Sequence, residues 1–274
     1  MSLIKDQYAV IGNPIAHSKS PFIHSLYAKQ TKQCMQYEAL CFELDNFKQQ
    51  LLAYFESGGL GANVTVPFKE AAWAACDTLS ERASLAGAVN TLSYEKGSIK
   101  GDNTDGLGLV TDLINNHDFS FANKRILILG AGGAVRGVLK PLIDQQPLSI
   151  TVANRTLAKA NVLVELFSDY FNITACQLSE LSEQYDLVIN GTSSSLSNER
   201  LPVSDVIVGQ HTVLYDMMYA KALTQFNRWG LDLGAHKAID GLGMLVGQAA
   251  ESFYIWRGIR PETSSVINLV RDDL

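Results

Sequence analysis

At 274 residues, with 47% hydrophobic and 18% charged side chains, the chain is long enough for two domains of ordinary size and too apolar for a disordered polymer. Its net charge of −6, with 22 basic residues scattered along the sequence, excludes the concentrated basic surface that nucleic acid or an anionic membrane requires. No run approaches ~18 apolar residues and the first residues lack a signal-peptide pattern, so a cytoplasmic protein is expected.

Short runs rich in Val and Ile alternate with glycine- or asparagine-bearing turns and amphipathic stretches, the pattern of α/β units on a largely parallel sheet. Strands are predicted at Tyr8–Ile11, Tyr37–Phe42, Gly61–Val66 and Val89–Tyr94. Helices are predicted at Ser20–Gln30, with Pro21 in its first turn, and at Asn46–Ser57 and Lys69–Cys76. In NVTVPFKE, residues 63–70, Val64 and Val66 alternate with Asn63 and Thr65 like a buried strand that Pro67 stops.

A helix beginning near Thr104 leads into a second unit, where KRILILGAGGAVRGVL reads as strand, glycine turn and amphipathic helix. Further strands follow at Ser149–Ala153, Leu187–Asn190 and Thr212–Tyr215, and a last helix, Gly243–Arg257, is expected to fold back onto the first unit. The four cysteines, Cys34, Cys41, Cys76 and Cys176, form no CxxC pair and read as buried thiols in a reducing compartment. The five histidines share no ligand spacing, so no metal is expected.

The turn GAGGA, Gly130, Ala131, Gly132, Gly133 and Ala134, stands where backbone N–H groups at a helix N-terminus can meet a pyrophosphate. Val135 holds the position of the third fingerprint glycine, and a tight turn that binds nothing is the bland alternative. After the next strand come Asn154, Arg155 and Thr156 with no acidic residue. A guanidinium with amide and hydroxyl neighbours suits a 2′-phosphate, so NADP is preferred to NAD, although Asn154 and Thr156 can equally cap a helix starting near Leu157. The loop INGTSSSL, residues 189–196 and including Thr192, follows another strand and supports the same site.

The first unit carries polar cassettes with ordinary explanations when taken singly, as helix caps, turns and a solvated lysine: GNPIAHSKSP, NVTVPFKE, GAVNTL and GDNTDG. Together with GAGGA, NRT, YDMMY and DGLGMLVGQAA, in this order over almost the whole chain, they resemble the shikimate dehydrogenase family. Gly243 and Gly247 are local departures, expected to be harmless because they are small.

The resemblance implies a two-domain α/β fold with a cleft between the domains. Residues 1–105, completed by 240–274, would be the substrate domain, and 106–239 a Rossmann-type doubly wound NADP-binding domain. It implies NADPH-dependent reduction of 3-dehydroshikimate to shikimate, an oxidoreductase step of chorismate and aromatic amino acid biosynthesis, with a small-molecule substrate and a monomer or homodimer. Lys69 and Asp105 would form the catalytic pair. Ser18, Ser20 and Tyr219 would hold the substrate carboxylate, Asn63, Thr65, Asn90 and Gln248 the ring hydroxyls, and Met217 and Gly241 would lie by the nicotinamide. Rival readings are a quinate/shikimate dehydrogenase of broader cofactor use and a non-catalytic metabolite sensor. A methylenetetrahydrofolate dehydrogenase is disfavoured by HSKSP and NVTVPFKE together.

Overall fold

A computed structural model describes residues 5–192 and 201–274. The chain divides into two compact units, residues 1–108 with 245–273, and residues 109–244. Both boundaries fall inside helices, Asp105–Asn115 and Leu242–Arg257.

Unit 1 is built on a six-stranded sheet in the order β2-β1-β3-β5-β6-β4: β1 Asp6–Gly12, β2 Met35–Cys41, β3 Gly59–Val64, β4 Thr78–Leu79, β5 Thr91–Glu95 and β6 Ser98–Asp102. The sheet is mixed, because β5 runs antiparallel to both β3 and β6. Lys96 and Gly97, both at positive φ, close the β5–β6 hairpin. Helix α2, Phe47–Glu56, places Phe47, Leu51 and Phe55 on one stripe against Ile11, Val64 and Leu92. Each such side chain contributes about 1.5–3 kcal/mol by leaving water. Helix α1, Ser20–Thr31, buries Ile23, His24 and Tyr27, and Tyr27 packs edge-on to Phe253 of helix Leu242–Arg257.

Unit 2 is a six-stranded, wholly parallel sheet in the order β12-β11-β10-β7-β8-β9: β7 Arg125–Leu129, β8 Ser149–Ala153, β9 Ile173–Cys176, β10 Leu187–Asn190, β11 Val213–Asp216 and β12 Lys237–Asp240. Order reverses between β7 and β10, the doubly wound arrangement whose switch point receives dinucleotides. Ile126, Leu127, Ile128, Leu129, Leu187, Val188 and Ile189 are all fully buried, as strands covered on both faces require.

Several expectations need correction. The strand in NVTVPFKE ends at Val64, two residues early, and Val66 is 69% exposed. Main-chain bonding nevertheless continues there, from Thr65 N–H to Ile11 O and from Asn13 N–H to Val66 O, before Pro67, which has no N–H to give. Val89 and Asn90 precede their strand rather than opening it. No cysteine is buried: Cys34 and Cys41 are exposed and Cys76 and Cys176 half-buried. Gly247 and Gly243 also do more than stay out of the way. A Cβ on Gly247 would lie 3.0 Å from the carbonyl oxygen of Gly108, and one on Gly243 would overlap the Asp112 carboxylate.

Candidate functional site

In unit 1 the chain brings Lys69, Asp105, Asn90, Asn63 and Gln248 into one hydrogen-bonded cluster. Lys69 opens helix α3, Lys69–Ala75, and Asp105 opens α5, Asp105–Asn115, so both stand at helix starts beside the exits of β3 and β6. The Lys69 ammonium donates to Asp105 Oδ2 at 2.5 Å, and the other carboxylate oxygen accepts from Asn90 Nδ2 at 2.7 Å. Both side chains keep some access to solvent, 31% for Lys69 and 15% for Asp105. The amide of Asn90 also donates to Gln248 Oε1 at 3.3 Å.

The rest of GDNTDG braces Asp105 from behind. Asp102 accepts two bonds from Arg82, at 2.6 and 2.7 Å, and one from Ser80 at 2.5 Å, while Asn103 Oδ1 accepts the Asp105 backbone N–H at 3.1 Å. Asp102 is thereby committed to holding the loop. Asn63, 5% exposed, is committed as well: its Oδ1 accepts from Tyr37 Oη at 2.7 Å, and its Nδ2 lies within reach of Asn90 O and Ser252 Oγ, at 3.1 and 2.9 Å. Burial holds the Tyr37 phenol well above its ordinary pKa, so it remains a donor.

Ser18 lies in the loop that launches α1, and Ser20 is the first residue of that helix. Lys19, not Ser20, occupies the cap position, and Ser18 Oγ accepts the Ser20 N–H at 3.3 Å. Lys19, between them, is tied to Asp273 at 2.8 Å near the C-terminus. Thr65 lies with its methyl against Gly12, where a Cβ would come within 2.6 Å of it. Tyr219 belongs to unit 2, in the segment following β11.

In unit 2 the exits of neighbouring parallel strands gather the cofactor candidates. Gly130 has φ 106°, a conformation other residues rarely take, and its N–H donates to Ala153 O at 2.8 Å. Gly132 caps helix α6, Gly133–Ile143, without a side-chain bond, and a Cβ on Gly132 or Gly133 would meet open space within 4 Å. That open turn, with Ala131 and Ala134 beside it, has the room and the positive helix end that a pyrophosphate would need. Val135 is fully buried where the third glycine would be, and the room it needs comes from Gly191, whose Cβ would overlap Val135.

Thr192 is set by Asn190, which accepts its N–H at 3.1 Å and its hydroxyl at 2.7 Å; Asn190 in turn donates to Asp216 at 3.1 Å. Residues 193–196 of the INGTSSSL loop lie outside the described residues. Met217 and Gly241 come together: Met217 N–H donates to Asn190 O, Gly241 N–H donates to Met218 O, and a Cβ on Gly241 would overlap Met217 O.

At the exit of β8, Asn154 Nδ2 donates to Thr156 O at 2.9 Å, and Thr156 stands at the cap of α7, Leu157–Leu166, without a side-chain cap bond. Arg155 and Thr156 are exposed. Sequence reading passed over Lys159, exposed in the first turn of this helix four residues after Arg155; that spacing was its signal. Two cations and no acid at an already positive helix end form an arrangement that an anion would settle, so the residues fit a phosphorylated dinucleotide. Among the described residues no group of three His, Cys, Asp or Glu side chains is placed to hold a metal ion, and no helix is long and apolar enough to cross a membrane.

Family models match in three stretches: the shikimate dehydrogenase substrate binding domain over residues 10–92, shikimate / quinate 5-dehydrogenase over 113–206, and the shikimate 5′-dehydrogenase C-terminal domain over 241–271. A curated shikimate dehydrogenase (NADP(+)) of Vibrio cholerae is 55% identical over 270 residues, covering 98% of this chain and 97% of the relative. Among solved structures, an Ael1 enzyme from Pseudomonas putida is 42% identical with a TM-score of 0.93, covering 97% of this chain and 98% of that one. Shikimate 5-dehydrogenase from Thermus thermophilus, in complex with NADP(H) and shikimate, is 31% identical with a TM-score of 0.87, covering 98% and 100%. By sequence over nearly its whole length and by fold, the chain belongs to the shikimate dehydrogenase family.

Proposed function

We propose that the chain catalyses the reaction of its family, the reversible NADPH-dependent reduction of 3-dehydroshikimate to shikimate on the route to chorismate and the aromatic amino acids, with Lys69 and Asp105 as its catalytic pair. The observation that carries the assignment of the pair is the Lys69–Asp105 contact at 2.5 Å, held by Asn90 inside the stretch that resembles the family's substrate domain. Bound NADPH supplies the hydride. The protein's own part is to position the ring and to move one proton: as negative charge grows on the ketone oxygen, the Lys69 ammonium stabilises it and donates a proton to it. In the oxidising direction the same nitrogen takes the hydroxyl proton, and Asp105 keeps it aimed at one place. An ammonium with rotatable donors would otherwise wander.

Ser18 and Ser20, with Tyr219, take the substrate carboxylate, and Thr65, Asn63, Asn90 and Gln248 take the ring hydroxyls. In this reading Asn63 works mainly through its oxygen, since its two protons are already directed at protein acceptors. Residues 106–239 form the cofactor domain and 1–105 with 240–274 the substrate domain. Gly130 to Ala134 cradle the pyrophosphate, Asn154, Arg155 and Thr156, with Lys159, hold the 2′-phosphate, and Thr192, Met217 and Gly241 flank the nicotinamide end. A cytoplasmic location and a monomer or homodimer complete the reading.

The test is the near-ultraviolet absorbance change when purified protein meets shikimate or quinate, each with NADP⁺ or NAD⁺. Reduction confined to shikimate with NADP⁺ is the expected result. Comparable rates with quinate or NAD⁺ would replace this reading with that of a broader dehydrogenase, and folded, NADP⁺-binding protein without turnover would make it a sensor.

A further inference from the structure

Behind the polar residues assigned to the ring lies a set of hydroxyls to which no role has yet been given. Thr91 opens β5 and is 1% exposed; Ser252 lies on helix Leu242–Arg257 and is fully buried. In the β3–β5 register Thr91 stands directly opposite Asn63, and in sequence it follows Asn90. Its Oγ1 is 2.8 Å from Asn90 Oδ1, 3.2 Å from Asn63 Nδ2 and 2.8 Å from Ser252 Oγ. One hydroxyl therefore touches both amides.

The orientations of those amides follow from backbone groups that admit no ambiguity. The Thr104 N–H, 2.9 Å from the Asn90 side chain, can only donate, so the Asn90 atom facing it is the oxygen. The backbone oxygen of Asn90, 3.1 Å from the Asn63 side chain, can only accept, so the atom facing it is the nitrogen. Between a fixed oxygen and a fixed nitrogen, Thr91 donates to Asn90 and shares with Ser252, at 3.2 and 2.9 Å, the Asn63 proton that does not go to Asn90 O. Ser252 is the third point, accepting from Asn63 at 2.9 Å and placed to donate to Gln248 O at 3.0 Å or to bond Thr91. With its oxygen so held, the Asn90 amide has one N–H turned to Asp105 at 2.7 Å and the other to Thr104 Oγ1 and Gln248 Oε1, at 3.0 and 3.3 Å.

We propose that Thr91 is a positioning residue for the dehydrogenase reaction, its buried hydroxyl locking the Asn63 and Asn90 amides in the orientations that face the substrate ring and Asp105, with Ser252 completing the lock. The proposal rests on the reading that Asn63 and Asn90 contact the ring. It separates from that of the catalytic pair, because its readout is the apparent affinity for shikimate and theirs is turnover.

The test compares Thr91→Val, which keeps the shape and removes the hydroxyl, with Thr91→Ser, which keeps the hydroxyl. Thr91→Val should raise the shikimate KM about 5- to 20-fold, with the NADP⁺ KM within about twofold of the parent; Thr91→Ser should stay within about threefold on both. Loss of folded protein alone would lower kcat and leave KM in place. Should Thr91→Val fail to fold, Ser252→Ala reads the same lock from its other end, with a rise of about two- to fivefold in shikimate KM. A parent-like shikimate KM in folded Thr91→Val, or equal impairment of the Val and Ser variants, overturns the proposal. Near-normal turnover of Lys69→Met, measured alongside, would instead overturn the catalytic pair and leave the Thr91 result to stand or fall on KM.

Discussion

In unit 1 the amides of Asn63 and Asn90 are bonded to neighbouring side chains and backbone, while in unit 2 the turn Gly130–Ala134 offers open backbone, with no side-chain cap on the helix that follows. A small polyol presents hydroxyls that must each find one partner in one direction, and only interlocked side chains supply that. A pyrophosphate presents charge spread over several oxygens, which a row of N–H groups at a helix end accepts with more latitude. Unit 1 should therefore lose function through single side-chain deletions, and unit 2 through changes of charge or of space at glycine.

The largest expected break of this contrast is Lys69→Met, with turnover of shikimate lowered about 10²- to 10⁴-fold and little change in shikimate KM. Steady-state rates of the folded variant check it, and near-normal kcat sinks it. Next comes acid. His24 is fully buried and stacked 4.0 Å from Tyr37, and burial pushes its pKa down to about 3 from 6.5. The unfolded chain takes the proton first, so the stability tied to neutral His24 is whole above pH 6.5 and lost as pH falls from there towards 3. Between pH 7 and pH 4 the parent should lose on the order of a few kcal/mol more than His24→Phe, read from urea midpoints. Parallel losses would remove His24 from the account. Unit 2 holds the opposite case: burial raises the carboxyl of Asp112 despite donors from Asn116 and Tyr215, so acid favours its folded form.

For the cofactor side, Arg155→Asp should raise the NADP⁺ KM about 10- to 100-fold and leave that for NAD⁺ much less affected, the scale of one charge-assisted hydrogen bond lost. An unchanged ratio of the two cofactors would count against a 2′-phosphate contact. The smallest effect is predicted for Thr156→Ala: because its hydroxyl makes no cap bond, thermal stability should move by less than about 0.5 kcal/mol while the NADP⁺ KM rises a few-fold. A clear drop in Tm with unchanged KM would return Thr156 to a structural role.

Where periodicity was strong the sequence was legible almost to the residue. Strands Ser149–Ala153 and Leu187–Asn190 were read at their observed bounds because both faces are buried and a four- or five-residue apolar run leaves little choice. β6, with the sequence SIKGD, escaped because only Ile99 is apolar and its partner is a hairpin neighbour; Lys96-Gly97 was the turn signal that could have found it. β4, two residues long, has no pattern to read at all. In the site, the polar cassettes named Asn63, Asn90 and Asp105, but Thr91 and Ser252 were invisible. A threonine inside a strand and a serine inside a helix become meaningful only when a register of Asn63 opposite Thr91 and a crossing helix bring their hydroxyls together.

Val135 and Gly191 share one volume. The glycine missing from the helix side of the Gly130–Ala134 turn is present on the strand side, at the exit of β10. Among related chains these two positions should therefore covary, a larger residue at one accompanying a smaller one at the other. A search for this fold by the linear fingerprint alone would then miss chains that keep the spacing in three dimensions while moving the glycine about sixty residues along the polymer, the length of two βα units.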